Sequence, residues 1–99
     1  MAAPDEIIHQ SMRLKIMAAL NASGSGEWIE FTRLKTIVDA TDGNLGAQLR
    51  KLEEASFIDV KKQFVDRKPV SWYSLTGAGR KALKAHLRAM ELVIQSAKV

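Results

Sequence analysis

Amide and basic side chains that could bind a polyanion are concentrated in the stretch "TDGNLGAQLRKLEEA", residues 41–55. Read as a helix, this stretch places Leu45, Leu49 and Leu52 on one face, because successive residues turn by about 100°. The opposite face carries small, amide and basic residues, with Gln48 on its flank and Thr41 at its start: Gly43, Asn44, Ala47, Arg50 and Lys51. Asparagine and glutamine can pair with the edge of an adenine, whereas arginine and lysine suit phosphate or guanine. The predicted chemistry is therefore hydrogen bonding combined with positive charge.

Gly43 and Gly46 need an explanation of their own. A glycine in a helix interior costs about 1 kcal/mol relative to alanine. Gly46 lies near the edge of the leucine face and could allow close packing against the preceding helix. Alternatively, both glycines thin the outer face so that a molecule outside the protein can approach the backbone.

The sequence does not support an enzyme. His9 and His86 fall in different predicted helices, and neither has a carboxylate or nucleophile at a suggestive spacing. A lone histidine on a helix is usually a surface or boundary residue. The chain has no cysteine, which excludes thiolate nucleophiles, disulfides and thiolate metal sites. We predict no cofactor and no metal site, although a remote histidine and carboxylate site stays open.

Charge is distributed unevenly along the 99 residues, whose net charge is +4. Residues 1–55 contain six basic and eight acidic side chains, giving −2, whereas residues 56–99 contain nine basic and three acidic ones, giving +6. Such an asymmetry is typical of a protein that binds a polyanionic partner, but it is also found in proteins with a lysine-rich solvated helix. The sequence shows neither a membrane span nor a signal peptide, so a cytoplasmic protein is expected.

The pattern of apolar residues predicts a single domain over residues 1–99. A first helix begins at Pro4 and ends near "NASGSG", and the short run "WIEF" favours a strand. Thr32 can cap a short helix whose Leu34, Ile37 and Val38 face inward. Thr41 begins the helix of residues 41–55, and Thr76 begins a final helix of about 20 residues.

Between the last two helices, two β-prone runs flank a charged loop containing "DRKP". They predict a hairpin whose segment 61–70 presents Lys62, Arg67 and Lys68. Lys61 and Lys62 could equally protect a strand edge. Phe64 and Trp72 are interpreted as packing partners across the hairpin.

The terminal helices carry more apolar surface than one small core can cover. Leu83, Leu87, Met90 and Ile94 are spaced four, three and four residues apart in the last helix. Ile7, Ile8 and Met12 belong to two adjoining apolar stripes on the first helix. We therefore predict that these seven residues form the contact between two copies of the chain.

The predicted order, α-β-α-α-β-β-α, describes a mainly α protein with a small β-hairpin (α+β), which is the winged helix-turn-helix arrangement. The stretches "TDGNLGAQLRKLEEASFI" and "YSLTGAGRKAL" make the chain similar to compact winged-helix transcriptional regulators related to the MarR and ArsR families. The resemblance covers roughly residues 5–94. It implies that residues 41–55 are the recognition helix, that Asp66 to Pro69 form the wing tip, and that the first and last helices form the dimer contact. ArsR-type sensors use cysteines for metal binding, and this chain has none.

The resulting hypothesis is a homodimeric, sequence-specific regulator that binds double-stranded DNA at a near-palindromic site. The DNA-binding residues would be Thr41, Gly43, Asn44, Ala47, Gln48, Arg50, Lys51, Lys62, Arg67 and Lys68. A small-molecule effector is not identified by the sequence. The alternative is a winged-helix module that binds a protein or RNA without operator specificity, because fold alone does not fix function.

Overall fold

The computed structural model describes residues 11–98. The elements in chain order are α1 (Ser11–Ala22), β1 (Ile29–Glu30), α2 (Phe31–Val38), α3 (Asp42–Glu54), β2 (Ile58–Val65), β3 (Lys68–Leu75) and α4 (Gly77–Ala97). This order, mainly helical with a small antiparallel sheet, confirms the predicted fold class. The predicted start of the first helix and the predicted contact residues Ile7 and Ile8 lie outside the described residues.

The hydrophobic core lies where α1, α2 and α3 pack against the base of the hairpin. Each helix contributes residues spaced three or four apart, because that spacing repeats on one face of an α-helix. The core side chains from the three helices are Ile16, Met17, Leu20, Leu34, Val38, Leu45, Leu49 and Leu52. Ile58, Leu75 and Leu83 close the core from the hairpin and from α4. The leucine face predicted for residues 41–55 is confirmed.

The sheet has the order β1-β3-β2, and both strand pairs are antiparallel. β1 pairs with β3 through Ile29 and Tyr73, and β2 pairs with β3 from Ile58 opposite Leu75 outward to Val65 opposite Lys68. Only the inner end of the hairpin is buried, so its outer half projects from the core.

The connection between α2 and α3 is tight. Asp39 adopts a left-handed conformation with φ of 53°, and the amide of Ala40 donates to the carbonyl of Lys35. The Thr41 hydroxyl then accepts from the amide of Asn44 at 3.2 Å, which caps α3 as predicted. This geometry sets the residue at which α3 begins.

Two details of α2 were predicted wrongly. The helix begins at Phe31 with Glu30 as its N-cap, and the Thr32 hydroxyl donates to the Glu30 carboxylate instead of capping. Ile37 is 50% exposed, because Leu34 and Val38, four residues apart, already occupy the inward face.

The hairpin turns through only two residues, Asp66 and Arg67. Their φ angles of 51° and 65° are the two positive values of a type I′ turn, which matches the right-handed twist of the paired strands. Pro69 belongs to β3 opposite Phe64, beyond the part of β3 that pairs with β1. Its missing donor therefore faces no neighbouring strand. Phe64 and Trp72 do not pair with each other, since Trp72 lies opposite Lys61.

Three of the residues predicted or interpreted as lying near the surface are at least partly buried. Leu83 is 1% exposed and belongs to the hydrophobic core of the single chain, so its place in the predicted contact between copies is wrong. Its helical position one turn after Gly79 points it at the core. His86 is likewise buried, and Met12 is half-buried against the core. Of the predicted α4 contact residues, Met90 is half-buried, and Leu87 and Ile94 are exposed.

Candidate nucleic-acid interface

The outward face of α3 is polar, narrow and open. Asn44, Arg50 and Lys51 are exposed, and Ala47 and Gln48 are half-exposed. A Cβ atom built on Gly43 or Gly46 would meet no other atom within 4 Å. The glycine at position 46 is therefore not required by packing against α2, and the close-packing interpretation is wrong. The bare backbone faces space that another molecule can enter.

A chain of hydrogen bonds organises this face. Arg13 of α1 donates to the Gln48 side-chain carbonyl at 2.7 Å, and the Gln48 amide donates to the Asn44 Oδ1 at 3.3 Å. The side chain of Gln48 is thus held between two partners, and Asn44 is oriented at the outer end of the chain. Helical spacing places Gln48 one turn from Asn44, but the contribution of Arg13 depends on how α1 packs and was missed.

A groove of about 200 Å³ separates α3 from the hairpin. Gly46 and Arg50 line it from α3, and Lys62 and Ser71 line it from the hairpin. Two of the predicted residues, Arg50 and Lys62, therefore lie on opposite walls of one groove. Ser71 was missed, because its orientation follows only from its register opposite Lys62.

Tyr73 lies at the inner end of the same groove. Burial raises the pKa of its phenol above the ordinary value of 10.0, the hydrogen bond with Ser71 lowers it, and the carboxylate of Glu53 raises it. The phenol consequently stays neutral at physiological pH. It contributes a polar but uncharged end to a groove whose walls carry the cations of Arg50 and Lys62 and the carboxylate of Glu53.

Lys61 and Lys62 serve different faces of the hairpin. Lys62 lines the groove beside α3, whereas the Lys61 ammonium lies over the Trp28 ring at 4.7 Å from its centroid. Adjacent strand residues point to opposite faces, which explains the division. The contact with Trp28 ties the base of the hairpin to the segment before β1.

The acidic start of α3 is partly neutralised. Asp42 forms an ion pair with Lys35 of α2, with 2.8 Å between Nζ and Oδ1. Both side chains are substantially exposed, so the pair contributes at most about 1 kcal/mol to stability. It nevertheless places a cation beside the carboxylate at the end of the helix where unpaired N–H groups favour an anion.

The remaining predicted residues lie at the tip of the hairpin. Arg67 occupies the turn, and Lys68 begins β3 opposite Val65, so both are separated from α3 by the length of the projecting strands. The structure thus places the predicted residues of α3 next to Lys62 at the groove. Arg67 and Lys68 form a separate basic region at the hairpin tip, further from α3. Within residues 11–98, no three histidine, cysteine or acidic side chains come together in a group that could hold a metal ion. None of the helices in this range combines the length and apolarity needed to cross a bilayer.

Residues 12–94 match the family of winged helix DNA-binding domains. The chain therefore belongs to that family, whose function is DNA binding and not catalysis. It is 35% identical over 82 residues to uncharacterized protein MJ0432 of Methanocaldococcus jannaschii, covering 83% of this chain and 86% of that protein.

Solved structures give the same class. A transcriptional regulator homologue from Pyrococcus horikoshii OT3 superposes with a TM-score of 0.84 at 26% identity, covering 96% of this chain and 91% of that one. A protein from Enterococcus faecalis V583 assigned to the MarR family of regulators has a TM-score of 0.74 at 20% identity, covering 93% of this chain and 80% of that one. The second similarity is one of fold. The resemblance to MarR-related winged-helix proteins inferred from the sequence is confirmed.

Proposed function

We propose that the protein is a homodimeric transcriptional regulator that binds double-stranded DNA sequence-specifically, with α3 in the major groove and the hairpin on flanking DNA. The observation that carries this proposal is the outer face of α3, which is bare at Gly43 and Gly46 and continues into the groove between Arg50 and Lys62. A major groove about 12 Å wide admits one α-helix, and a thin face lets that helix approach the base edges closely.

Asn44 is the proposed base-reading residue. Its side chain is exposed near the start of α3, the part of a recognition helix that meets base edges. Its Oδ1 already accepts from Gln48, which leaves the amide group of Asn44 to donate to a base. Gln48 has both of its polar atoms engaged by Arg13 and Asn44, so its proposed role is to orient Asn44.

Most of the attraction to phosphate must come from outside α3. Asp42, Glu53 and Glu54 outweigh Arg50 and Lys51, so α3 itself carries a net charge of −1. The hairpin adds Lys62 beside the groove and Arg67 and Lys68 at the tip. Contacts of this kind position a protein on DNA without reading its sequence.

Self-association through α4 would present two recognition helices at once. Leu87, Leu92, Val93 and Ile94 are exposed apolar residues on the outer half of this helix. A two-fold dimer would place its recognition helices about 34 Å apart, in successive major grooves of a near-palindromic site. The cytoplasmic location expected from the sequence remains part of this proposal.

The test compares Asn44→Ala with Arg67→Ala on two DNA duplexes. One duplex is obtained by selecting tight binders of the wild-type protein from a random-sequence pool, and the other has a scrambled sequence. Asn44→Ala should weaken binding to the selected duplex by about 1 to 3 kcal/mol and leave the scrambled one unchanged. Arg67→Ala should weaken both duplexes similarly and reduce the salt dependence by about one phosphate contact.

Fluorescence anisotropy at several salt concentrations measures both quantities, and a double-stranded RNA of the same length is the control ligand. The narrow major groove of A-form RNA excludes α3, so binding to RNA should be weak. Equal losses on both DNA duplexes for Asn44→Ala would contradict its base-reading role. A random pool that yields no enriched duplex would contradict sequence-specific binding altogether.

A further inference from the structure

We infer that Phe64 is an apolar wedge that the hairpin inserts between base pairs in the minor groove, bending the DNA. This inference rests on the proposed function, and it adds a deformation of the DNA to the contacts proposed above. Proteins that kink DNA commonly do so by inserting a phenylalanine, leucine, isoleucine, methionine or proline side chain from the minor-groove side.

The exposure of Phe64 is the first argument. Its side chain is 80% exposed, which is the highest value among the large hydrophobic residues of the described chain. Across the hairpin it faces Pro69, whose short ring cannot cover it. Within residues 11–98, this ring is therefore largely unused for packing.

The direction of Phe64 is the second argument. Side chains two residues apart in a strand share a face, so Phe64 lies on the face that carries Val60 and Lys62. Both of those residues line the groove beside α3. Phe64 lies about 7 Å further out than Lys62, on the side of the hairpin from which DNA bound to α3 would be reached.

The charges around Phe64 are the third argument. Lys62 precedes it by two residues, and Arg67 and Lys68 lie beyond it at the tip. An exposed aromatic ring beside three cations and the one carboxylate of Asp66 is unsuited to an apolar protein surface, but it suits a duplex, whose phosphates surround the stacked bases. The same cations would contact the phosphates that flank the minor groove where the wedge enters.

The two-residue turn supplies the rigidity that a wedge needs. Asp66 and Arg67 form a tight type I′ turn, and all eight residues of β2 pair with β3 out to Val65 and Lys68. Phe64 is thus held by a paired strand and not by a loose loop. Insertion would cost little further ordering of the hairpin.

The experiment measures bending and base unstacking directly. The probe is a duplex selected by the wild-type protein, labelled at its ends for energy transfer and carrying 2-aminopurine at successive A·T pairs flanking the major-groove site. Wild-type protein should shorten the end-to-end distance and raise the 2-aminopurine fluorescence at one step. Phe64→Ala should abolish both signals and weaken binding about tenfold, whereas Phe64→Leu should retain much of them.

Lys62→Ala is the matched control, because it removes a neighbouring contact on the same face. It should reduce the salt dependence of binding while preserving the bend, whereas Phe64→Ala should leave the salt dependence unchanged. Tight binding by the wild type without a bend or a fluorescence change would overturn the wedge and leave the proposed function intact. A change in oligomeric state caused by Phe64→Ala, with DNA bending unaltered, would overturn it as well. Failure of the wild type to select any duplex would instead defeat the proposed function on which the wedge depends.

Discussion

At the scale of single residues, the glycines of α3 are positions where helix stability and DNA binding favour different side chains. A methyl group on Gly46 would extend into open space, so folding alone would favour alanine there. The same methyl group would project toward the groove that Gly46 shares with Arg50 and Lys62. Residue 46 therefore offers a clean comparison of the two effects.

We expect Gly46→Ala to raise the free energy of unfolding by up to about 1 kcal/mol and to weaken DNA binding. Urea denaturation and anisotropy on a selected duplex measure the two changes. Gly77→Ala is the control, because Gly77 is also an open helical glycine but begins α4, away from the α3 face. Unchanged DNA affinity in Gly46→Ala would show that the bare backbone is not needed for close approach.

Local interactions of single residues could be predicted from the sequence, whereas contacts between distant residues could not. The caps Thr41 and Thr76 were predictable, because each hydroxyl accepts from an amide three residues further along the chain. The hydrogen bond from Arg13 to Gln48 was not, since it joins residues 35 positions apart and depends on the packing of α1. The exposure of Phe64 was also missed, because a β-prone pattern does not show where the core ends.

At the scale of elements, the junction between β3 and α4 is held by several hydrogen bonds and one close backbone approach. The Thr76 hydroxyl donates to the carbonyl of Ser56 and accepts from the amide of Gly79, while the Thr76 amide donates to the carbonyl of Phe57. A Cβ atom on Gly79 would collide with that Phe57 carbonyl. Within the stretch "YSLTGAGRKAL", Thr76 therefore supplies the cap of α4, and Gly79 permits its close approach to the start of β2.

Gly79→Ala should destabilise the protein by about 1 to 3 kcal/mol, because the backbone must move to admit the methyl group. The gain in helix propensity, about 1 kcal/mol, opposes this loss but does not cancel it. Chemical denaturation compared with Gly77→Ala, two residues earlier in the same helix, isolates the collision. Similar stabilities for the two variants would mean that the junction relaxes without cost.

The boundaries of the elements were less predictable than their order. The loop containing "DRKP" was expected between the hairpin strands, but the turn comprises only Asp66 and Arg67, and Pro69 lies within β3. Asp-Arg lacks the glycine that usually signals a type I′ turn. The start of α2 was also predicted wrongly, because Glu30 occupies the N-cap position that Thr32 was expected to fill.

At the scale of the whole molecule, α4 is longer than the core it covers. Its buried side chains end at Ala89, whereas residues 91–98 are exposed. Val93 lies one turn beyond Ala89 on the same stripe of the helix, yet it is 51% exposed, and the neighbouring Ile94 is 52% exposed. The apolar stripe thus continues after the core of the single chain has ended.

The four-three-four spacing of apolar residues in α4 does not show which of them lie in the core and which face solvent. Leu83 and Ile94 belong to one repeat, but Leu83 closes the core and Ile94 faces solvent. A helical period identifies which residues share a face and contains no information about what covers each turn. The extent of the core along α4 is set by the packing of the rest of the chain.

Replacing Val93 and Ile94 together by glutamate should convert the proposed dimer to a monomer. Burying each side chain in a dimer contributes up to about 1.5 to 3 kcal/mol, so losing both should weaken association more than about 100-fold. Sedimentation equilibrium at micromolar protein measures the change. The control is Gln95→Glu, which adds a negative charge at an exposed position on the same turn. Circular dichroism should show the same helix content in every variant, since both positions lie outside the core.

The monomeric variant should also lose most of its affinity for a two-fold duplex while keeping weak binding to a half-site, because the two recognition helices no longer bind as one unit. A wild-type protein that sediments as a monomer, or a double variant that remains dimeric, would locate the function of α4 elsewhere than in self-association.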